Sequence, residues 1–168
     1  MSRPAVVIDT NVLIAANHRD THVSADCSLN AARRLNAARQ AEVVLLDTLG
    51  HIFLEYKCYC NFTGQPGAGD MFFLYLHQKR WDEAAGKILQ IPINENPSVD
   101  QGNRNYIEFP DDPDFAGFDP SDQKFVAVGI ASGKNPAILN ASDNDDWENY
   151  RVALEKHGLF LEQLCPEK

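Results

Sequence analysis

Ala5-Val6-Val7-Ile8-Asp9-Thr10-Asn11 is the stretch that decides the reading of this chain. Four apolar residues, three of them β-branched, end abruptly at an aspartate. A short apolar run of this kind predicts a buried strand, parallel and central in its sheet. Thr10-Asn11 punctuates the chain, and a short helix is expected over 12–17. Helix formers fill 24–40, with Leu29, Ala32, Leu35 and Ala38 spaced by three and Ser24 suited to the N-cap. Glu42-Val43-Val44-Leu45-Leu46 reads as a second strand, after which Asp47 or Thr48 is suited to cap a helix over 49–60. Ile52, Phe53 and Tyr56 form the apolar stripe of that helix.

Gly64-Gln65-Pro66-Gly67-Ala68-Gly69 breaks the pattern. A helix over 71–86 and a strand over 88–91 follow. From 92 to 118 periodicity is lost and Pro, Gly, Asn and Asp dominate, as in loops that carry function or move. Asp119-Pro120-Ser121-Asp122 has the chemistry of a helix start: Asp at N-cap, Pro at N1, an acid at N3. That helix should run to about 132 and stop at Gly133. A strand over 136–140, a helix over 147–157 and a last strand over 159–161 complete the chain. Strands alternating with helices predict an α/β fold: a three-layer α/β/α sandwich with a mainly parallel central sheet. One domain over 1–168 is expected, with a polar loop insertion at about 92–118.

The composition fits one ordinary globular domain: 168 residues, 44% hydrophobic and 23% charged. The net charge of −9 excludes a broad basic surface that would bind nucleic acid regardless of sequence. Six acids occur from Glu108 to Asp122 before any Lys or Arg, an acidic segment suited to limiting access or attracting a basic partner. No apolar run approaches the ~20 residues of a membrane span. Asp9 interrupts what would be a signal peptide's apolar region, so a cytoplasmic location is expected. Cys27, Cys58, Cys60 and Cys165 show no metal-binding spacing and are expected to be reduced, structural thiols.

Four carboxylates stand out by placement: Asp9 after the first strand, Glu55 mid-helix, Asp122 at a helix start and Asp143 after a late strand. Ligands of open α/β sheets bind at the carboxyl ends of strands. Carboxylates converging there repel one another unless protonated or bridged by cations. Hard ions such as Mg²⁺ or Mn²⁺ prefer oxygen ligands and promote phosphodiester hydrolysis. Each acid also has a plainer reading: a loop acid at Asp9, a surface pair with Lys57 or a nearby Arg at Glu55, a cap at Asp122, a solvated loop at 143–146. The constellation and its order carry the functional expectation.

These residues resemble the PIN-domain nucleases. Val6-Val7-Ile8-Asp9-Thr10-Asn11-Val12-Leu13 is similar to that family's opening strand and its Asp-Thr/Ser-Asn/Ser ending. Phe53-Leu54-Glu55-Tyr56 resembles its helix glutamate, and Asp122-Gln123-Lys124-Phe125-Val126-Ala127 its third acid. Asn140-Ala141-Ser142-Asp143-Asn144-Asp145-Asp146-Trp147 resembles the closing motif, with Ala141 where Thr or Ser is common. The resemblance spans nearly the whole chain, in the family's order. It implies a metal-dependent endoribonuclease acting on single-stranded RNA, and VapC-like toxins of toxin–antitoxin pairs are bacterial members. By that match Asp9, Glu55, Asp122 and Asp143 are catalytic. Asp9, Asp122, Asp143 and Asp146 would hold Mg²⁺ or Mn²⁺, with Asp145 competing for the role of Asp146. Asn11 would position the site. A homodimer and an antitoxin protein are the implied partners.

Lys124 and Arg104 are candidate phosphate contacts, alongside Arg33, Arg34, Arg39 and Lys79-Arg80. Tyr106 and Phe109 are the better candidates for base stacking, whereas Trp81 reads as a core residue. Two other readings compete: a phosphatase-like hydrolase with Asp9 as nucleophile, and a non-catalytic module that retains the scaffold.

Overall fold

The computed structural model describes residues 2–19, 22–98, 103–142 and 144–165. Five strands form one sheet: β1 (Ala5–Ile8), β2 (Val43–Asp47), β3 (Ile88–Ile91), β4 (Ala137–Asn140) and β5 (Phe160–Gln163). All strand pairs are parallel, in the order β3-β2-β1-β4-β5. β1 is central and buried along its whole length, as its apolar run predicts. It pairs Val6 with Val44 on one side and Ile8 with Leu139 on the other.

The helices are α1 (Thr10–Ala16), α2 (Ala25–Ala41), α3 (His51–Tyr59), α4 (Ala68–Lys79), α5 (Gln123–Ser132), α6 (Asn144–Glu148) and α7 (Arg151–Lys156). α1, α2 and α4 pack on one another, and α5 covers β1, β2 and β3, which gives the expected three-layer α/β/α sandwich. Local chemistry sets the helix ends. Ser24 accepts the Cys27 N–H at the start of α2. Asp47, not Thr48, caps α3 through the N–H groups of His51 and Ile52. Gly133 ends α5 at φ 65°, a conformation that glycine adopts without strain. Gly69 lets α4 approach α1 closely: a Cβ there would sit 2.2 Å from the Leu13 carbonyl oxygen.

Several boundaries differ from the sequence reading. The helix expected over 71–86 starts earlier and stops at Lys79, and a 3-10 turn at Glu83–Ala85 follows. Gly67 and Asp70 start it: the Asp70 carboxylate accepts the Gly67 N–H at 3.0 Å. Asp119-Pro120-Ser121 opens as a 3-10 turn, and the regular helix begins at Gln123. The single helix expected over 147–157 is two short ones, α6 and α7.

The polar segment after β3 is tied to the body. Glu108 accepts from Asn94, Tyr106 bridges to Glu95, and Gln123 bonds the backbone of Asn103 and Asn105. Phe109, Phe115 and Phe118 are buried, and Phe118 meets Trp147 edge-on at 5.3 Å. Asp112 is held by Lys156 and His157, both at 2.8 Å. These three phenylalanines and this clamp give the segment a core that its composition hid.

The expectation of four reduced cysteines is corrected. Cys27 and Cys165 form a disulfide across 138 residues, with Cα atoms 5.2 Å apart; Cys58 and Cys60 are free thiols. Chain topology brings the end of the edge strand β5 to the start of α2, a juxtaposition that residue spacing does not encode.

Candidate functional site

The strand order reverses at β1, since β2 and β3 lie to one side and β4 and β5 to the other. The crevice beyond the carboxyl ends of β1 and β4 is therefore where an open α/β sheet binds its ligand. Asp9 stands there, immediately after β1, its backbone N–H donating to the Leu139 carbonyl at 3.0 Å. A cleft of roughly 460 Å³ opens at this point, with Asp9, Glu55 and Asp122 in its wall. Thr10, Asn11, Asp119, Ser142 and His22 also line it.

Asp9 is 5% exposed and held from two sides. Its Oδ1 accepts the Asn11 N–H at 2.9 Å, which caps α1. Its Oδ2 accepts the indole N–H of Trp147 at 2.7 Å. Two directional bonds fix the carboxylate's plane. Beneath it, the Tyr56 hydroxyl donates to the Ile8 carbonyl. Burial, reinforced by the charge of Asp9, raises the Tyr56 phenol, so it remains a donor.

Glu55 reaches the cleft from α3. One of its oxygens accepts from the Thr10 hydroxyl, and Lys124 Nζ lies 3.3 Å from the other. The Lys124 side chain is 10% exposed and the Glu55 side chain 29%. Lys124 also donates to the Ser121 carbonyl and sits 4.8 Å from the Phe125 ring centre. Lys124 is thus a buried counter-charge to Glu55, in place of the surface pairing of Glu55 with Lys57.

Asn11 links the two central strand ends. Its Nδ2 donates to Asn140 Oδ1 at 2.7 Å, and its Oδ1 accepts the Ala141 N–H at 3.0 Å. Asn140 Nδ2 continues to Gln163 Oε1 at 2.6 Å. This amide chain runs from the end of β1 across β4 to β5, so Asn11 sets the spacing of the loops that form the crevice.

The remaining sequence candidates fall as follows. Asp143 and the side chain of Asp145 lie outside the described residues. Asp146 is exposed on α6, next to the buried Trp147, and does not line the cleft. Arg104 turns into its own loop and donates to the Phe109 carbonyl at 3.1 Å. The stacking expectation is reversed. Tyr106 and Phe109 are buried, and the Tyr106 hydroxyl partners His51 at 2.8 Å; Trp81, read as core, is 68% exposed. The sequence reading had not singled out Thr10 as a partner of Glu55, nor Asp119, Ser142 and His22 as cleft residues. A hydroxyl at the first helical position, beside Asp9, was the available signal for Thr10.

All carboxylate and hydroxyl donors at this cleft are oxygens, the chemistry that suits a hard divalent ion. Among the described residues, no three His, Cys, Asp or Glu side chains gather into a group that could hold a metal. Among the described residues no helix is long and apolar enough to cross a membrane. No protein-family profile, curated protein or solved structure matches the chain.

Proposed function

We propose that the protein is a metal-dependent endoribonuclease that hydrolyses phosphodiester bonds in single-stranded RNA. The observation that carries this reading is that Asp9, Glu55 and Asp122 all line one cleft at the strand-order reversal. Asp9 and Asp122 would hold Mg²⁺ or Mn²⁺, with Asp143 the expected further ligand. When bound, such an ion lowers the pKa of a coordinated water and stabilises charge on the phosphate oxygens.

The chain's own groups divide the remaining work. Trp147 and the Asn11 N–H orient Asp9. Thr10 and Lys124 orient Glu55, to which we assign acceptance of the attacking water's proton. The Asn11–Asn140 bond holds the two strand ends that frame the substrate. Donation from both Trp147 and Asn11 to Asp9 favours this reading over Asp9 as a phosphoryl-accepting nucleophile. The toxin role, an antitoxin partner and a homodimer stay with the resemblance. The Cys27–Cys165 disulfide weighs against the cytoplasmic placement, because such bonds belong to oxidising compartments.

The test is cleavage of mixed single-stranded RNAs with Mg²⁺ or Mn²⁺, with Asp9→Asn as control. Cleavage should need the ion and vanish in the variant, while the variant keeps its folded circular-dichroism spectrum. Undiminished cleavage by Asp9→Asn sinks the assignment. Absence of cleavage by the parent protein favours a non-catalytic binding module.

A further inference from the structure

On the far flank of α3 from Glu55, and across α4, cations and rings alternate. The Arg80 guanidinium stacks 3.6 Å over the Phe53 ring and 5.1 Å from the Trp81 ring. Phe53 stacks on Phe73 at 4.9 Å, and Phe73 meets Phe62 at 5.1 Å. Lys57 lies 5.4 Å from the Phe62 ring, and His77 meets that ring edge-on at 4.9 Å. The row ends in large exposed rings at Trp81 and, 42% exposed, at Phe62.

Two features of this row together suit a polyanion that carries flat apolar groups. The first is charge. Arg19, Arg34, Lys124, Arg151 and Lys156 are each paired with a carboxylate. Among the described residues, Lys57, Lys79 and Arg80 have no carboxylate within ion-pair distance; the same holds for Arg3, Arg33, Arg39, Lys87, Arg104 and Lys134, but only Lys57, Lys79 and Arg80 lie beside the exposed rings of Trp81 and Phe62. In a chain of net charge −9, a cluster of unneutralised cations is where a polyanion meets least repulsion. The neighbouring Asp82 is turned onto the Ala85 N–H. The second is the pair of exposed rings, Trp81 beside Arg80 and Phe62 beside Lys57, joined underneath by the buried Phe53 and Phe73; exposed rings next to cations suit a strand of unpaired bases joined by phosphates. A duplex hides its base faces, and a protein partner has no need of both elements at this spacing.

We infer that the Trp81–Arg80–Phe62–Lys57 surface is a binding track for single-stranded RNA, with bases stacking on Trp81 and Phe62 and phosphates meeting Arg80 and Lys57. The choice of RNA rests on the ribonuclease reading; the track itself is read without catalysis.

The experiment measures fluorescence anisotropy of a labelled 12-nucleotide oligouridine with the full chain in EDTA at low salt. The parent protein should bind, and Trp81→Ala, at an exposed position, should bind about tenfold more weakly, the scale of one lost base stack. Lys57→Gln should flatten the salt dependence. An RNA duplex of equal length should bind more weakly than the single strand. The proposal is overturned if Trp81→Ala and Lys57→Gln bind like the parent, if the parent does not bind, or if Trp81 governs only binding to anionic vesicles. Cleavage lost in Asp9→Asn with binding unchanged in Trp81→Ala defeats the track and spares the nuclease. Trp81-dependent binding without any cleavage does the reverse.

Discussion

Trp147 donates its indole N–H to Asp9 Oδ2 at 2.7 Å, and the two residues, 138 positions apart, are both buried. An aromatic after β4 thereby orients the carboxylate after β1. Phenylalanine keeps most of the ring but leaves a buried carboxylate oxygen without this donor. Trp147→Phe should lower stability by about 1.5–3 kcal/mol, the scale of one hydrogen bond to a charged group. Urea unfolding measures it, and an unchanged midpoint would show that Asp9 does not need this donor.

Lys124 and Glu55 are unequally buried, which sets the order of two mutations. Glu55→Ala takes the counter-charge from the more buried ammonium, which keeps only the Ser121 carbonyl, whereas Lys124→Met takes it from a carboxylate that water can reach. The first should be the more destabilising. Both should fall short of the 3–5 kcal/mol of a fully buried pair, at about 1–2 kcal/mol. Denaturant midpoints of the two variants decide the order, and equal losses would count against this account.

Hydrogen bonds from Lys156, His157 and the Asp114 N–H hold the Asp112 carboxyl well below the usual carboxylate range. A depressed folded-state value stabilises the protein fully above the ordinary Asp value of about 3.9. That stabilisation is lost as pH falls from there through the folded value. The gap in melting temperature between the parent and Asp112→Asn should therefore be constant from pH 7 to pH 5 and close below about pH 4. A gap that does not narrow at all between pH 5 and pH 2 would show that the clamp acts by packing alone.

Burial pushes the Cys60 thiol up to about 12, while Cys58 is exposed. Since the thiolate is the reactive form, native protein at pH 8 should alkylate at Cys58 and spare Cys60. Cys27 and Cys165 should react only after reduction. Cys27→Ser should cost about 2–5 kcal/mol, as expected for opening a long covalent loop. Mass spectrometry of alkylated peptides reads the first outcome and thermal unfolding the second.

The fold was legible wherever a local pattern had one structural solution. A four-residue apolar run ending at Asp9 forms a strand buried on both faces, and Gly133 stops α5 as its type suggests. Asp9, Glu55 and Asp122 were legible for the same reason: each follows an element end or interrupts an apolar stripe. What was hidden depends on long-range contact. Trp81 has helical spacing from the core residues of α4, but the helix stops at Lys79 and turns the indole outward. Phe109 sits among polar neighbours yet stacks with Phe115 and Phe118. The Glu55–Lys124 pair joins α3 to α5 across 69 positions, beyond any local rule.

The disulfide also divides the molecule mechanically. The bond makes a covalent ring of everything from Cys27 to Cys165, which takes in β2, β3, β4 and β5. Only β1 and α1, among the described elements, lie outside the ring on the N-terminal arm. A pull on the two chain ends cannot extend the ring, so tension falls on that arm. The central strand would be drawn out first and would take Asp9 with it, while the four ring strands stay linked. Under load, the acidic cleft is dismantled before the chain that surrounds it comes apart.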